Sequence, residues 1–199
     1  GGMLRGIDDV APESDAAGLT LLGYDPHKYY TGRGPLEAVG TGAQFKEGML
    51  ALRCNFATTS DGHNLLDRRA GRTLTSREAA LLAAAINKKV RLTDAKFKFY
   101  ASVAHRGVLV IGNSSGQEKL SAKITNTDPA YEVRGGIPHA LHSFEKKVKK
   151  SVTLDSTAAA KMAAELVNEF TEKAFAVMEN HHVNIRRSKK GLLAANTII

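Results

Sequence analysis

The strongest helical periodicity in the chain lies between Asp155 and Glu179, where Met162, Leu166, Phe170, Ala174, Val177 and Met178 recur on one side of a helix. A helix of that length cannot leave such a stripe in water, so the rest of the chain must provide an apolar layer to cover it. Asp155 or Ser156 is the expected cap of this helix, which should run to about Glu179. The stripe reads as core packing rather than as a cofactor box.

The covering layer is predicted to be a sheet. Met49 to Phe56 and His63 to Asp67 read as strands joined by the polar connection Thr58–Gly62. Thr75 and Glu78 have the spacing of a capping box, followed by an Ala/Leu-rich helix to about Lys88. Lys96-Phe97-Lys98-Phe99 alternates with period two, and Gly107 to Ile111 is a compact apolar run, so both read as strands of one sheet. Asn113 to Gln117 reads as a turn, and Asp128-Pro129 opens a stretch with Gly135, Gly136 and Pro138 that reads as a loop. The expected fold is α/β with an α+β insert domain: a mixed sheet packed with two or more helices, one of them long and near the C-terminus.

Charge is unevenly distributed. Residues 1–47 hold four Lys and Arg against seven Asp and Glu, whereas residues 48–199 hold twenty-four against thirteen, so the second part should attract anions. One cysteine, Cys54, excludes an internal disulfide and a Cys-rich metal site, which fits a reducing cytoplasm. It reads as a small buried strand residue. No signal peptide is visible at Gly1–Gly6, and no apolar run approaches the length of a membrane span.

Three groups of residues carry chemistry. Ser14, between Glu13 and Asp15 and just ahead of an apolar run, looks like a nucleophile. Strand alternation puts Arg53 and Asn55 on one face. Asp67-Arg68-Arg69-Ala70-Gly71-Arg72 packs three guanidinium groups beside one carboxylate, either a bidentate anion fork with Asp67 holding one arginine or a solvated basic turn. His105-Arg106, at the junction of two strands, adds a further donor pair. His181-His182 cannot easily share one metal ion, because neighbours on a helix point about 100° apart; an interaction with the dipole at the end of the long helix is expected instead. The basic runs Lys146–Lys150 and Arg186–Lys190 read as solvated faces.

Taken together, VAPESDAAGLTLLGYDP from Val10, YYTGRGPLEA from Tyr29, RCNFAT from Arg53, DRRAGR from Asp67, HRGVLV from His105, TDP from Thr127, AAELVNEFTEKA from Ala163 and HVNIRRSKKGLLAAN from His182 resemble the archaeal-type 2,3-bisphosphoglycerate-independent phosphoglycerate mutases of the alkaline phosphatase superfamily. The resemblance runs from about Gly6 to Asn196. It implies a glycolytic isomerase that interconverts 3-phosphoglycerate and 2-phosphoglycerate through a phosphoserine, with two divalent metals, manganese or magnesium.

Ser14 matches the family's phosphoryl-accepting serine and, in an intact site, a metal ligand. Arg53, Asn55, Asp67, Arg68, Arg69, Arg72, His105 and Arg106 are then the substrate-binding candidates. Many members read G-S-D-T-A-H-L around the serine, whereas Gly18 stands here where they have histidine. The family's remaining metal ligands lie before and after the matching region, so an incomplete metal site is expected, with Ser14 present but idle.

The expected organisation is a nucleophile-bearing segment of the catalytic domain at 1–42, an inserted substrate-binding domain at 43–185 and a return segment at 186–199. The expected partner is a small phosphorylated substrate, not a membrane or a nucleic acid. Two other readings are a homoserine-kinase-like phosphotransferase of the same superfamily and a basic nucleic-acid-binding module. The first is separated by assaying 3-phosphoglycerate against homoserine plus nucleotide; the second by its steep salt dependence and tolerance of Ser14→Ala.

Overall fold

The computed structural model describes residues 33–114, 119–134 and 137–199. Ser14 and the segment around it lie outside the described residues, as does most of the turn expected after Asn113.

The sheet is organised on β1 (Leu50–Thr59), a ten-residue strand with few polar interruptions. On one side it pairs antiparallel with β4 (Arg106–Asn113), from Leu50 opposite Ile111 to Asn55 opposite Arg106. β3 (Ala95–Ala101) then pairs antiparallel with β4. On its other side β1 pairs with β2 (Leu65–Asp67) and, near the chain's end, with β7 (Thr197–Ile198), where Phe56 opposes Ile198. The path is β2-β1-β4-β3 with β7 added to β1.

Alternation along these strands makes two different faces. Leu50, Cys54, Phe56, Phe99, Leu109 and Ile111 point to one, where α2 (Ser76–Lys89) and α3 (Ala158–Met178) cover them. Phe56 meets Phe99 edge-on at 5.5 Å, and Phe170 of α3 lies 5.7 Å from Phe99. Aromatic pairs at such distances add roughly 0.5–1.5 kcal/mol beyond burial. The long stripe of α3 is thus core, as its spacing predicts, and the expected α/β architecture is met.

Ala51, Val108 and Val110 point to the opposite face, under α1 (Arg33–Gly40) and its Ala38. Gly34 lies so close to β1 that a Cβ there would sit 1.9 Å from the Ala51 carbonyl oxygen. Only a residue without a side chain permits that approach.

The capping box of α2 forms as expected: Thr75 Oγ1 accepts from Glu78 N at 3.2 Å, and Glu78 Oε2 accepts from Thr75 N at 3.0 Å. For α3 the cap is Thr157, one residue beyond the expected Ser156. Asp155 Oδ1 accepts from the Thr157 N–H and hydroxyl and so orients the cap.

Two expectations are corrected. The stretch after Asp128 is not a plain loop but holds a hairpin, β5 (Tyr131–Arg134) with β6 (Ile137–Ala140). Its strands are four residues each, β5 carries Glu132 and Arg134 and β6 a proline, so they give little periodic signal. The second concerns His181, which does not close the long helix. It opens α4 (His182–Lys189), its Nδ1 accepting from Val183 N at 3.3 Å. Among the described residues no helix is long and apolar enough to cross a membrane.

Candidate functional site

Arg53 and Asn55 both point to the α1 side of β1, as strand alternation requires. Arg53 Nε lies 2.9 Å from Glu37 Oε1 of α1, a half-buried ion pair that orients the arginine. Asn55 Oδ1 is buried and has no hydrogen-bond partner among the described residues.

One register step away, the Phe56 N–H donates to the His105 carbonyl at 2.7 Å, which brings His105 beside the same part of β1. His105 Nδ1 is likewise buried without a partner among the described residues. Burial, followed by the nearby charges of Arg69, Arg106, Arg72 and Arg53, holds the His105 imidazolium below its ordinary pKa of 6.5. The positive charges of four arginines that the sequence singled out are thus felt at one histidine.

The loop that carries Arg68, Arg69 and Arg72 has an uncommon backbone. Ala70, Gly71 and Arg72 have φ of 47°, 65° and 56°, three successive residues in the left-handed region. For the two that are not glycine this costs about 1 kcal/mol or more each. Asp67 holds the loop in that shape, with Oδ1 accepting from Arg69 N at 2.7 Å and Gly71 N at 2.9 Å. Its carboxylate thus grips backbone, not one of the neighbouring guanidinium groups.

Arg68 is engaged by a carboxylate. Its Nε and Nη2 donate to Asp128 Oδ1 and Oδ2 at 2.7 and 2.6 Å, and its guanidinium lies over the rings of Tyr131 and Phe144. Burial opposes the charge, but Asp128 and Tyr131 outweigh it and raise the Arg68 pKa. This bidentate pair fastens the arginine loop to the start of the β5–β6 hairpin. In contrast, Arg69, Arg72 and Arg106 have no carboxylate partner among the described residues.

Two hollows flank Arg69. A cavity of about 490 Å³ is lined by Arg33, Arg53, Asn55, Arg69, Asp128 and Tyr131, with an apolar floor from α3. A second, of about 320 Å³, is lined by Asp67, Arg68, Arg69, Arg72, Phe144 and Lys146. The guanidinium groups of Arg69 and Arg72, which have no carboxylate partner among the described residues, and the concave walls together make a site suited to a small anion such as a phosphate ester or a carboxylate.

Some participants carry little sequence signal. Asp128 reads only as the start of an irregular stretch, and Lys146 only as part of an exposed basic run, though it lines the smaller hollow. Arg187 reads as part of a solvated face; the structure corrects this, since it is 1% exposed. Cys54 is buried as expected, and burial pushes its thiol up to about 12.

Among the described residues no group of three or more His, Cys, Asp or Glu is placed to hold a metal ion.

The family model described as 2,3-bisphosphoglycerate-independent phosphoglycerate mutase matches residues 1–184. An enzyme of that name from Aeropyrum pernix is 50% identical over 193 residues, covering 96% of this chain and 45% of the relative. One from Methanosphaera stadtmanae is 43% identical, covering 96% of this chain and 42% of the relative. Among solved structures, a cofactor-independent phosphoglycerate mutase from Thermoplasma acidophilum matches with a TM-score of 0.68 at 34% identity, over 99% of this chain and 47% of that one. The chain spans less than half the length of these relatives.

Proposed function

The chain belongs to the 2,3-bisphosphoglycerate-independent phosphoglycerate mutase family, and on that footing we propose that it carries the nucleophile segment and the substrate-clamping arginines of an enzyme interconverting 3-phosphoglycerate and 2-phosphoglycerate. The observation that carries this reading is the cavity that Arg53, Asn55 and Arg69 line together, where Asn55 Oδ1 has no hydrogen-bond partner among the described residues. Phosphoglycerate is a small dianion or trianion, and it offers a carboxylate and a phosphate to such a cluster.

In this mechanism Ser14 takes up the phosphoryl group, the freed glycerate turns between the arginines, and the phosphoryl group passes from Ser14 to the other hydroxyl. The arginines bind the carboxylate in pairs of hydrogen bonds and offset charge on the phosphoryl group in transit. Asn55 and His105 complete the set of polar contacts to the glycerate. Residues 1–42 belong with the catalytic part, 43–185 form the inserted substrate-binding part, and 186–199 lead back. Two divalent ions, manganese or magnesium, belong to the complete cytoplasmic enzyme, where Ser14 would be one of their ligands and they would lower the pKa of its hydroxyl.

In the complete enzyme Ser14→Ala should abolish both mutase turnover and 32P-phosphoserine formation from labelled 3-phosphoglycerate. Turnover that survives the substitution would remove Ser14 from the mechanism.

A further inference from the structure

Arg187 is the most buried charged side chain among the described residues, and three of its five hydrogen bonds go to Ala70 and Thr73. Nη2 donates to Thr73 Oγ1 at 2.8 Å and Ala70 O at 3.4 Å, and Nη1 to Thr73 O at 3.2 Å and Glu78 Oε2 at 3.0 Å. Nε donates to Leu193 O at 2.9 Å. Ala70 opens the left-handed backbone at 70–72 and Thr73 follows it; Arg69 precedes this stretch and Arg72 is its last residue. Asp67 grips this loop through its N–H groups, whereas Arg187 grips it through its carbonyls and the Thr73 hydroxyl. Strained backbone persists only where its surroundings over-determine it.

We infer that Arg187 is a positioning residue for the anion site: from beneath the loop it sets the backbone from which Arg69 and Arg72 reach the substrate. Glu78 extends the device, because the same carboxylate that caps α2 is the ion-pair partner of Arg187. The arginine loop, the start of α2 and α4 are thereby fixed to one another. Arg187 lines neither hollow, so its effect passes through Ala70 and Thr73.

This inference rests on the phosphoglycerate reading of the arginine cluster, and the test separates the two. Isothermal titration of 3-phosphoglycerate into the chain should give a Kd about tenfold weaker in Arg187→Met, the loss expected when a hydrogen-bonded charge is removed. Arg187→Lys should recover part of it. Thr73→Val, which removes only the hydroxyl, should weaken binding less than Arg187→Met while the protein still melts cooperatively. It decides the matter if Arg187→Met does not fold.

Amide exchange gives a second readout, with Arg69, Gly71 and Thr73 losing protection in these variants while β1 and β4 do not. If Arg69→Ala loses affinity but Arg187→Met and Thr73→Val bind as the wild type does, the positioning role is overturned and the reading of the site stands. If Arg69→Ala also binds as the wild type does, the reading fails and takes the inference with it.

Discussion

Arg187 of α4 and Glu78 at the third position of α2 stand 109 residues apart in the chain, yet their Nη1 and Oε2 atoms are 3.0 Å apart under the arginine loop. Arg187 is nearly fully buried and Glu78 only partly, so the pair is enclosed on the arginine's side. Removing the arginine takes the side-chain donor from the Thr73 and Leu193 carbonyls and leaves the partly buried Glu78 carboxylate without its cation. Arg187→Met should therefore cost about 3 kcal/mol, seen as a lowered midpoint in urea or thermal unfolding followed by circular dichroism.

A tighter constraint applies at Gly34. A methyl group there would overlap the Ala51 carbonyl, and backbone on both sides leaves no flexible partner to yield. Gly34→Ala should cost about 1–3 kcal/mol by overpacking and draw Glu37 away from Arg53. The unfolding midpoint measures the first effect, and weakened 3-phosphoglycerate binding the second.

His105 gives a pH dependence whose sign follows from its surroundings. Burial and four arginines lower its folded pKa below 6.5, so the unfolded chain binds the proton more readily. Its contribution to stability is complete above that ordinary value and is lost as pH falls toward the folded pKa. The melting temperature of the wild type should fall between about pH 7 and 5, and His105→Asn should flatten part of that fall. A bound phosphate dianion should shift the His105 titration, followed by NMR, upward.

Cys54 should be inert in the folded protein. Its thiol is buried and raised to about 12, so almost no thiolate exists near neutral pH. Iodoacetamide should label it only after unfolding; rapid labelling of the native protein would contradict its placement.

The parts legible in the sequence are those decided within a few residues. Thr75 and Glu78 cap α2 because their spacing alone permits the reciprocal bonds, and Met162, Leu166 and Phe170 mark the buried side of α3 through periodicity alone. Arg53 and Asn55 share a face for the same local reason.

What escaped is settled at long range. Arg187 reads as solvent-facing because the groups that satisfy it, Thr73 and Glu78, belong to distant elements. Arg68 belongs to the same basic run as Arg69 and Arg72, yet Asp128, 60 residues later, engages it. The helix break between Met178 and His182 depends on His181 acting as a cap, an uncommon choice of residue.

The central claim is that the cluster around His105 binds the substrate's anionic groups, and titration calorimetry with 3-phosphoglycerate tests it most directly. The wild type should bind, with affinity falling as salt rises, and the double variant Arg69→Ala/Arg72→Ala should lose about tenfold or more in affinity while keeping its fold, since charged hydrogen bonds to the ligand are removed. A wild type that does not bind, or a double variant that binds equally well, would contradict the account.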